Sequence, residues 1–185
     1  MTLMLHHTLT RTAIFLAATL AALVHAGPLE DGLLAGAAAR LDPKGVEIAI
    51  RRGAKVAQNL PHPDAPGVLR TPVQFALLEL TTNSEPDAPK RAEAILRALF
   101  KAGATLTGDD DELFPVITNG HVGLVRLLLD HGANPHKRIY GYTLAELAIK
   151  YEQPNVLPVL YSRGVPKVDA AQAAQIQLVQ AANLQ

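Results

Sequence analysis

The chain has 185 residues, with 17 basic and 17 acidic side chains and neither cysteine nor tryptophan. That length suits one domain or one short repeat array. The even charge balance gives no support for nucleic-acid binding, and without cysteine no disulfide staples the fold, so its stability must come from packing. Hydrophobic residues make up 49% of the chain but aromatics only 4%. Ala and Leu supply most of the apolar content, which is the composition of packed helices rather than of a sheet rich in Val, Ile and aromatics.

At the N-terminus, Arg11 precedes an apolar run over residues 13–24, which is followed by His25-Ala26 ahead of Gly27-Pro28, with Val24 at its end. A short apolar run with small residues at the −1 and −3 positions predicts a secretory signal peptide over 1–26, cut after Ala26. The run is too short to cross a hydrocarbon core of about 30 Å as a helix. With no cysteine to carry a lipid, a mature chain without membrane insertion and with a periplasmic address is expected.

Four short endings then recur: Arg52-Gly53-Ala54, Ala102-Gly103-Ala104, His131-Gly132-Ala133 and Arg163-Gly164-Val165. Each follows an apolar helical stretch, and a Gly just beyond such a stretch predicts a left-handed C-cap, because no Cβ opposes positive φ there. The glycines are 50, 29 and 32 residues apart. Helix starts recur too. Thr71-Pro72 and Thr143-Leu144 read as an N-cap followed by a first helical residue, and Asp111 is expected to cap the helix that begins at Glu112. Between these elements, residues 58–69, with three prolines, and 81–89 read as surface loops. Pro115 falls inside a first helix, where a kink is expected. Pro154 and Pro158 make the last helix pair irregular. Residues 169–185 carry no charge after Asp169. With Asp169 and Gln172 as a capping pair, they predict a helix that covers the end of a stack.

These residues resemble the ankyrin repeat. The closest stretch is Asn119-Gly120-His121-Val122-Gly123-Leu124-Val125-Arg126-Leu127-Leu128-Leu129-Asp130-His131-Gly132-Ala133-Asn134-Pro135. The Thr143 unit, the Thr71-Pro72 start and the four Gly endings extend the likeness over about residues 29–167. The resemblance implies an all-α fold over residues 27–168, an ankyrin-repeat solenoid of about four helix-pair repeats, with residues 169–185 as an added C-terminal capping helix. Such arrays bind through hairpin tips and the exposed positions of first helices. By register, that face takes Ile139, Tyr140, Tyr142, Lys150 and Tyr151 in the fourth unit, Thr107, Asp110, Thr118 and Asn119 in the third, and Val68, Arg70, Leu78 and Glu79 in the second. Three of the chain's four tyrosines thus fall in one repeat, and tyrosine is enriched at binding hot spots.

Catalytic motifs are absent: the chain has no cysteine nucleophile, no Gly-x-Ser-x-Gly elbow, no phosphate-cradling loop and no His-Glu-x-x-His helix. His121 takes the repeat's structural turn position, and His131 suits a helix C-terminus, so these histidines imply no metal. The run Asp109-Asp110-Asp111-Glu112 lacks the 1-3-5-12 spacing of a calcium loop; it reads as a helix N-terminus, or as an acidic patch that meets a partner. The expected function is therefore a monomeric, cofactor-free periplasmic protein that binds another protein. Small exported bacterial ankyrin proteins imply two roles, an immunity protein that neutralises a secreted antibacterial effector or a catalase-associated scaffold in oxidative-stress defence. A structural envelope protein assembling through its Gln/Ala-rich tail is a further alternative.

Overall fold

A computed structural model describes residues 27–182; the expected leader, 1–26, lies outside the described residues. The described chain is mostly helical. In order it forms α1 (Pro28–Ala39), α2 (Pro43–Arg51), β1 (Leu60–His62), β2 (Ala65–Arg70), α3 (Pro72–Thr82), α4 (Ala88–Lys101), α5 (Asp110–Thr118), α6 (Val122–Asp130), β3 (Arg138–Ile139), β4 (Tyr142–Thr143), α7 (Leu144–Lys150), a single 3-10 turn (Pro154–Val156), α8 (Leu157–Ser162) and α9 (Ala170–Ala182). No described helix is long and apolar enough to cross a membrane.

The helices pack in two rows. One row runs α1, α3, α5, α7, α9, each against the next; the other runs α2, α4, α6, α8. Within a pair, α1 meets α2, α3 meets α4, α5 meets α6, and α7 meets α8. A single apolar core threads between the rows, from Leu34 and Val46 through Phe75, Leu77, Leu96 and Leu99 to Ile117, Leu128, Leu147 and Leu160. The terminal helix α9 takes the next place in the first row and has no partner in the second. It packs on α7 but buries no residue completely, so it covers the end of the array only in part.

One local geometry closes every second-row helix. Gly53, Gly103, Gly132 and Gly164 have φ of +91°, +95°, +95° and +81°. In each ending the glycine N–H donates three residues back and the following N–H donates five back, as in Gly132 to Leu129 (3.3 Å) and Ala133 to Leu128 (3.0 Å). This is the paired-bond C-cap that an unhindered left-handed residue allows. The residues that follow, Ala54, Ala104, Ala133 and Val165, are buried. Three of the five first-row starts share a second geometry. Thr71 and Gln74 exchange reciprocal side-chain to backbone bonds, as do Thr143 with Glu146 and Asp169 with Gln172. Each reciprocal pair satisfies two otherwise orphaned N–H groups.

The turn inside a pair repeats as well. Leu41, Gly120 and Glu152 are the left-handed residues between first and second helices, at φ +50°, +68° and +57°. Glu152 is exposed there, so its Cβ adds strain that no burial offsets. Glu152→Gly is expected to raise the unfolding free energy by about 0.5–1 kcal/mol, measured by urea denaturation; a loss of stability would show that its side chain holds the turn.

Three sequence expectations need correction. Residues 58–69 are not a plain loop: they build the antiparallel β1–β2 hairpin, whose register slips between Pro61 and His62. Prolines are tolerated there because a two-stranded ribbon is all edge. The loop expected over 81–89 is shorter, since α3 runs on to Thr82 and α4 starts at Ala88, leaving 83–87 between them. The cap of α5 is Asp109, not Asp111. Glu112 folds back to accept from Thr107 N–H (2.6 Å) and Gly108 N–H (3.0 Å), which begins the helix two residues early. Pro158 sits in the first turn of α8, where its missing N–H is no loss.

Candidate functional site

The β3–β4 hairpin, α5 and α7 carry or border Ile139, Tyr140, Tyr142, Lys150 and Tyr151 together with Asp110, Thr118 and Asn119, but set them in different surroundings. The hairpin turns on Tyr140 and Gly141, both left-handed at φ +50° and +82°. A tyrosine at φ > 0 is uncommon and strained, and Tyr140 is 72% exposed. Its ring stands edge-to-face with Phe114 of α5, with centroids 5.5 Å apart at 86°. Tyr151, which caps α7, meets the same Phe114 at 5.7 Å and 85°. Phe114 is thus the hub of an aromatic corner between α5, the β3–β4 hairpin and the end of α7. The register reading missed it, because an apolar residue in a first helix counts as core by default; its half-burial beside two surface tyrosines is what distinguishes it.

Tyr142 turns the other way. It is half-buried, packs on the core, and carries Lys150 Nζ 4.2 Å above its ring. With Glu146 it lines a groove of about 210 Å³ against Ile176 and Val179 of α9. Ile139 is fully buried at the end of its strand, while Tyr140, the next residue, has left the strand for the left-handed hairpin turn. Ile139 therefore belongs to the packing of the hairpin and not to any contact surface.

A polar network joins the second and third units. Gln74, itself buried, donates from Nε2 to Asp109 Oδ2 (2.9 Å) and to Thr107 Oγ1 (3.1 Å). The Thr107 hydroxyl lies 2.7 Å from Asp109 Oδ2 and 2.9 Å from Glu112 Oε1. Hydrogen bonds from Thr107 and Gln74, helped by the charges of Lys137 and Arg70, hold the Asp109 carboxyl below its usual 3.8. Lys137 also donates to the Gly108 carbonyl. Arg70, at the end of β2, is half-buried beside this network, which brings Arg70 and Asp109 together. The side chain of Asp110 lies outside the described ones; its backbone opens α5. Asn119 is exposed at the far end of α5 and donates to the Pro115 carbonyl at 2.8 Å, away from the hairpin tips. Val68 and Leu78 are exposed on the second unit, 42% and 39%.

Nothing in this arrangement places a nucleophile beside a base. Among the described residues no group of three or more His, Asp or Glu could hold a metal. His131 bonds the Leu127 carbonyl through Nδ1 at 2.8 Å and stacks on Phe100 with centroids 4.1 Å apart. His121, at the turn between α5 and α6, is pushed below its usual 6.5 by burial. A base with a lowered folded-state pKa gives full stability above 6.5 and loses it progressively as pH falls from 6.5 toward the lower folded value. Stability measured across that window is expected to fall with acid in the wild type and to fall less in His121→Gln; equal slopes would remove His121 as the cause.

Another groove, of about 570 Å³, lies between α2 and α4, lined by Ile50, Ala94 and Ala98 with Arg51, Arg97 and Lys101. Neither a scan of protein-family models nor a search of curated proteins gives a match to this chain.

Proposed function

We propose that the chain is an exported ankyrin-type repeat solenoid that binds another protein through the hairpins and first helices of its last two units. The observation that carries this reading is the aromatic corner of Tyr140, Phe114 and Tyr151, in which a strained, 72%-exposed tyrosine sits at a hairpin tip. Strain held at an exposed side chain points to a use for that side chain, and exposed aromatics at a rigid tip are the residues that anchor interfaces. The repeated C-cap, the repeated intra-pair turn and the two helix rows support the solenoid.

The more specific role is immunity: the protein seats on a secreted antibacterial effector and neutralises it. The units differ from one another, with a β1–β2 hairpin before the second and an inserted segment within it, which suits one dedicated partner better than a generic scaffold. The reading assigns it neither catalysis nor a cofactor. Affinity capture on residues 27–185 is expected to retain one periplasmic protein, identified by mass spectrometry. Tyr140→Ala/Tyr151→Ala is expected to lose it, with unfolding free energy changed by no more than about 1 kcal/mol, as for a surface site. Retention by the double variant, or capture of no specific protein, would overturn the reading.

A further inference from the structure

The first helix begins directly after the expected cut. Gly27 is the N-cap of α1, in extended backbone at φ −115° and ψ −175°, and Pro28 is the first helical residue. Glu30 reaches back and accepts from the Gly27 N–H at 3.2 Å. At Thr71, Thr143 and Asp169 the same three-residue step is a reciprocal pair of bonds. At Gly27 only half of it exists, because glycine has no side-chain oxygen to return the bond. What remains is a half-buried acid aimed at a backbone nitrogen.

The surrounding charges leave that acid without a counter-ion. Asp31, the next residue, is buried and accepts from Lys55 N–H (2.8 Å) and Gln58 Nε2 (3.1 Å), with Lys55 Nζ 4.0 Å away. Among the described residues no basic side chain pairs with Glu30. Gly27 lies at a groove of about 470 Å³, and the titratable groups that line it with Gly27 are Asp31, Lys55 and His62 of β1.

We infer that the mature chain begins at Gly27 and that Glu30 holds its α-ammonium as an ion pair, closing the start of α1. This rests on the export reading above and names the residue that receives the new terminus. Hydrolysis of the Ala26–Gly27 peptide bond by a signal peptidase puts the water oxygen on the Ala26 carboxyl and leaves an amine on Gly27, which takes up a proton at neutral pH. The Gly27 nitrogen thus turns from a neutral donor of one bond into a cation with three donors, within hydrogen-bond distance of a carboxylate already in place. A lone ammonium at a helix start opposes the helix dipole; Glu30, with Asp31 in the same first turn, reverses that balance. The α-amino group is therefore held above its ordinary range of about 7.7–8.0. Because the folded-state value is the raised one, the added stability is complete below that range and is lost as pH rises through the folded value.

The chain from Gly27 to Gln185, released from a leader by a protease that leaves no extra residue, is titrated from about pH 6 to about pH 10 with the Gly27 Cα resonance followed by NMR. A midpoint at least about 0.5 above the ordinary range is expected, and Glu30→Gln is expected to lower it by about 0.5 or more. That substitution keeps one acceptor oxygen for the Gly27 nitrogen, so the start of α1 survives it. A chain that retains Ala26 moves the ammonium one residue away and is expected to titrate in the ordinary range. A wild-type midpoint inside that range, or one that Glu30→Gln leaves unmoved, would overturn the ion pair. Sequencing the N-terminus of the exported protein tests the cut separately: Gly27 in first place supports it, and any other first residue, or an uncleaved chain, overturns Gly27 as the mature end. The titration decides the role of Glu30 whatever the sequencing finds, and neither result touches the capture experiment.

Discussion

Phe75→Ala is expected to lower the unfolding free energy by about 4 kcal/mol, the upper range for deleting a large buried side chain. Phe75 lies in the first full turn of α3 and is 1% exposed. Two separate contributions converge there. The first is the apolar area and the cavity left when the ring is removed from a row that packs on α1 behind it and α5 ahead. The second is the edge-to-face contact with His62 of the β1–β2 hairpin, at 5.4 Å, worth about 0.5–1.5 kcal/mol beyond area in aromatic pairs. Urea unfolding followed by circular dichroism measures the loss. A change below about 2 kcal/mol would mean that the rows relax into the gap, contrary to close packing. The hairpin also gives the prediction a local signature. Amide exchange in β1 and β2 is expected to accelerate more than exchange in α7, because Phe75 touches the hairpin through His62 while α3 packs chiefly on α1, α4 and α5.

How far the fold could be read in advance depends on which residues carried the signal. The glycine endings were legible because a left-handed C-cap has a near-unique chemical solution, and all four adopt it. The caps at Thr71, Thr143 and Asp169 were legible for the same reason: an oxygen-bearing side chain three residues before a Glu or Gln has few other uses. The β1–β2 hairpin was not legible. Pro61, Pro63 and Pro66 read as breakers in any central strand, and only the freedom of a two-stranded edge admits them. Glu152 and Leu41 hid their left-handed turns because neither is glycine; in the Glu152 unit the surrounding helices impose the conformation on the residue.

The site divides along the same line. Counting from Thr143 puts Tyr140 in the hairpin and Tyr151 at the end of the helix that follows, and both stand there. Register could not separate Ile139 from Tyr140, because a two-residue strand gives no alternation to read, and it left out Phe114, whose role depends on what its neighbours in the next unit are. Local rules fix positions within a unit, while contacts between units fix what those positions do.

The shifted start of α5 gives the second large effect. Glu112 is 2% exposed, and its carboxylate accepts from two backbone N–H groups and faces the Thr107 hydroxyl. Glu112→Ala removes the acceptor but leaves the donors, and an orphaned donor costs about 1–3 kcal/mol when water cannot reach it. Thr107 and Gly108 are partly open to solvent, so water recovers a share, and a loss of about 2–3 kcal/mol for the whole network is expected. Glu112→Gln keeps one acceptor oxygen and the shape of the side chain; it is expected to lose less than half as much. The two variants together decide the register. If α5 instead began at Glu112 with Asp111 as its cap, Asp111→Ala would be the costly change, at about 1 kcal/mol, and Glu112→Ala would cost a few tenths as an ordinary first-turn substitution. Because Asp109 and Thr107 lie in the same network as Gln74, loosening Glu112 is also expected to release the tie between the second and third units. Double-mutant coupling between Glu112→Ala and Gln74→Ala, of about 0.5 kcal/mol or more, measures that tie; strict additivity would show that Glu112 acts on the start of α5 alone.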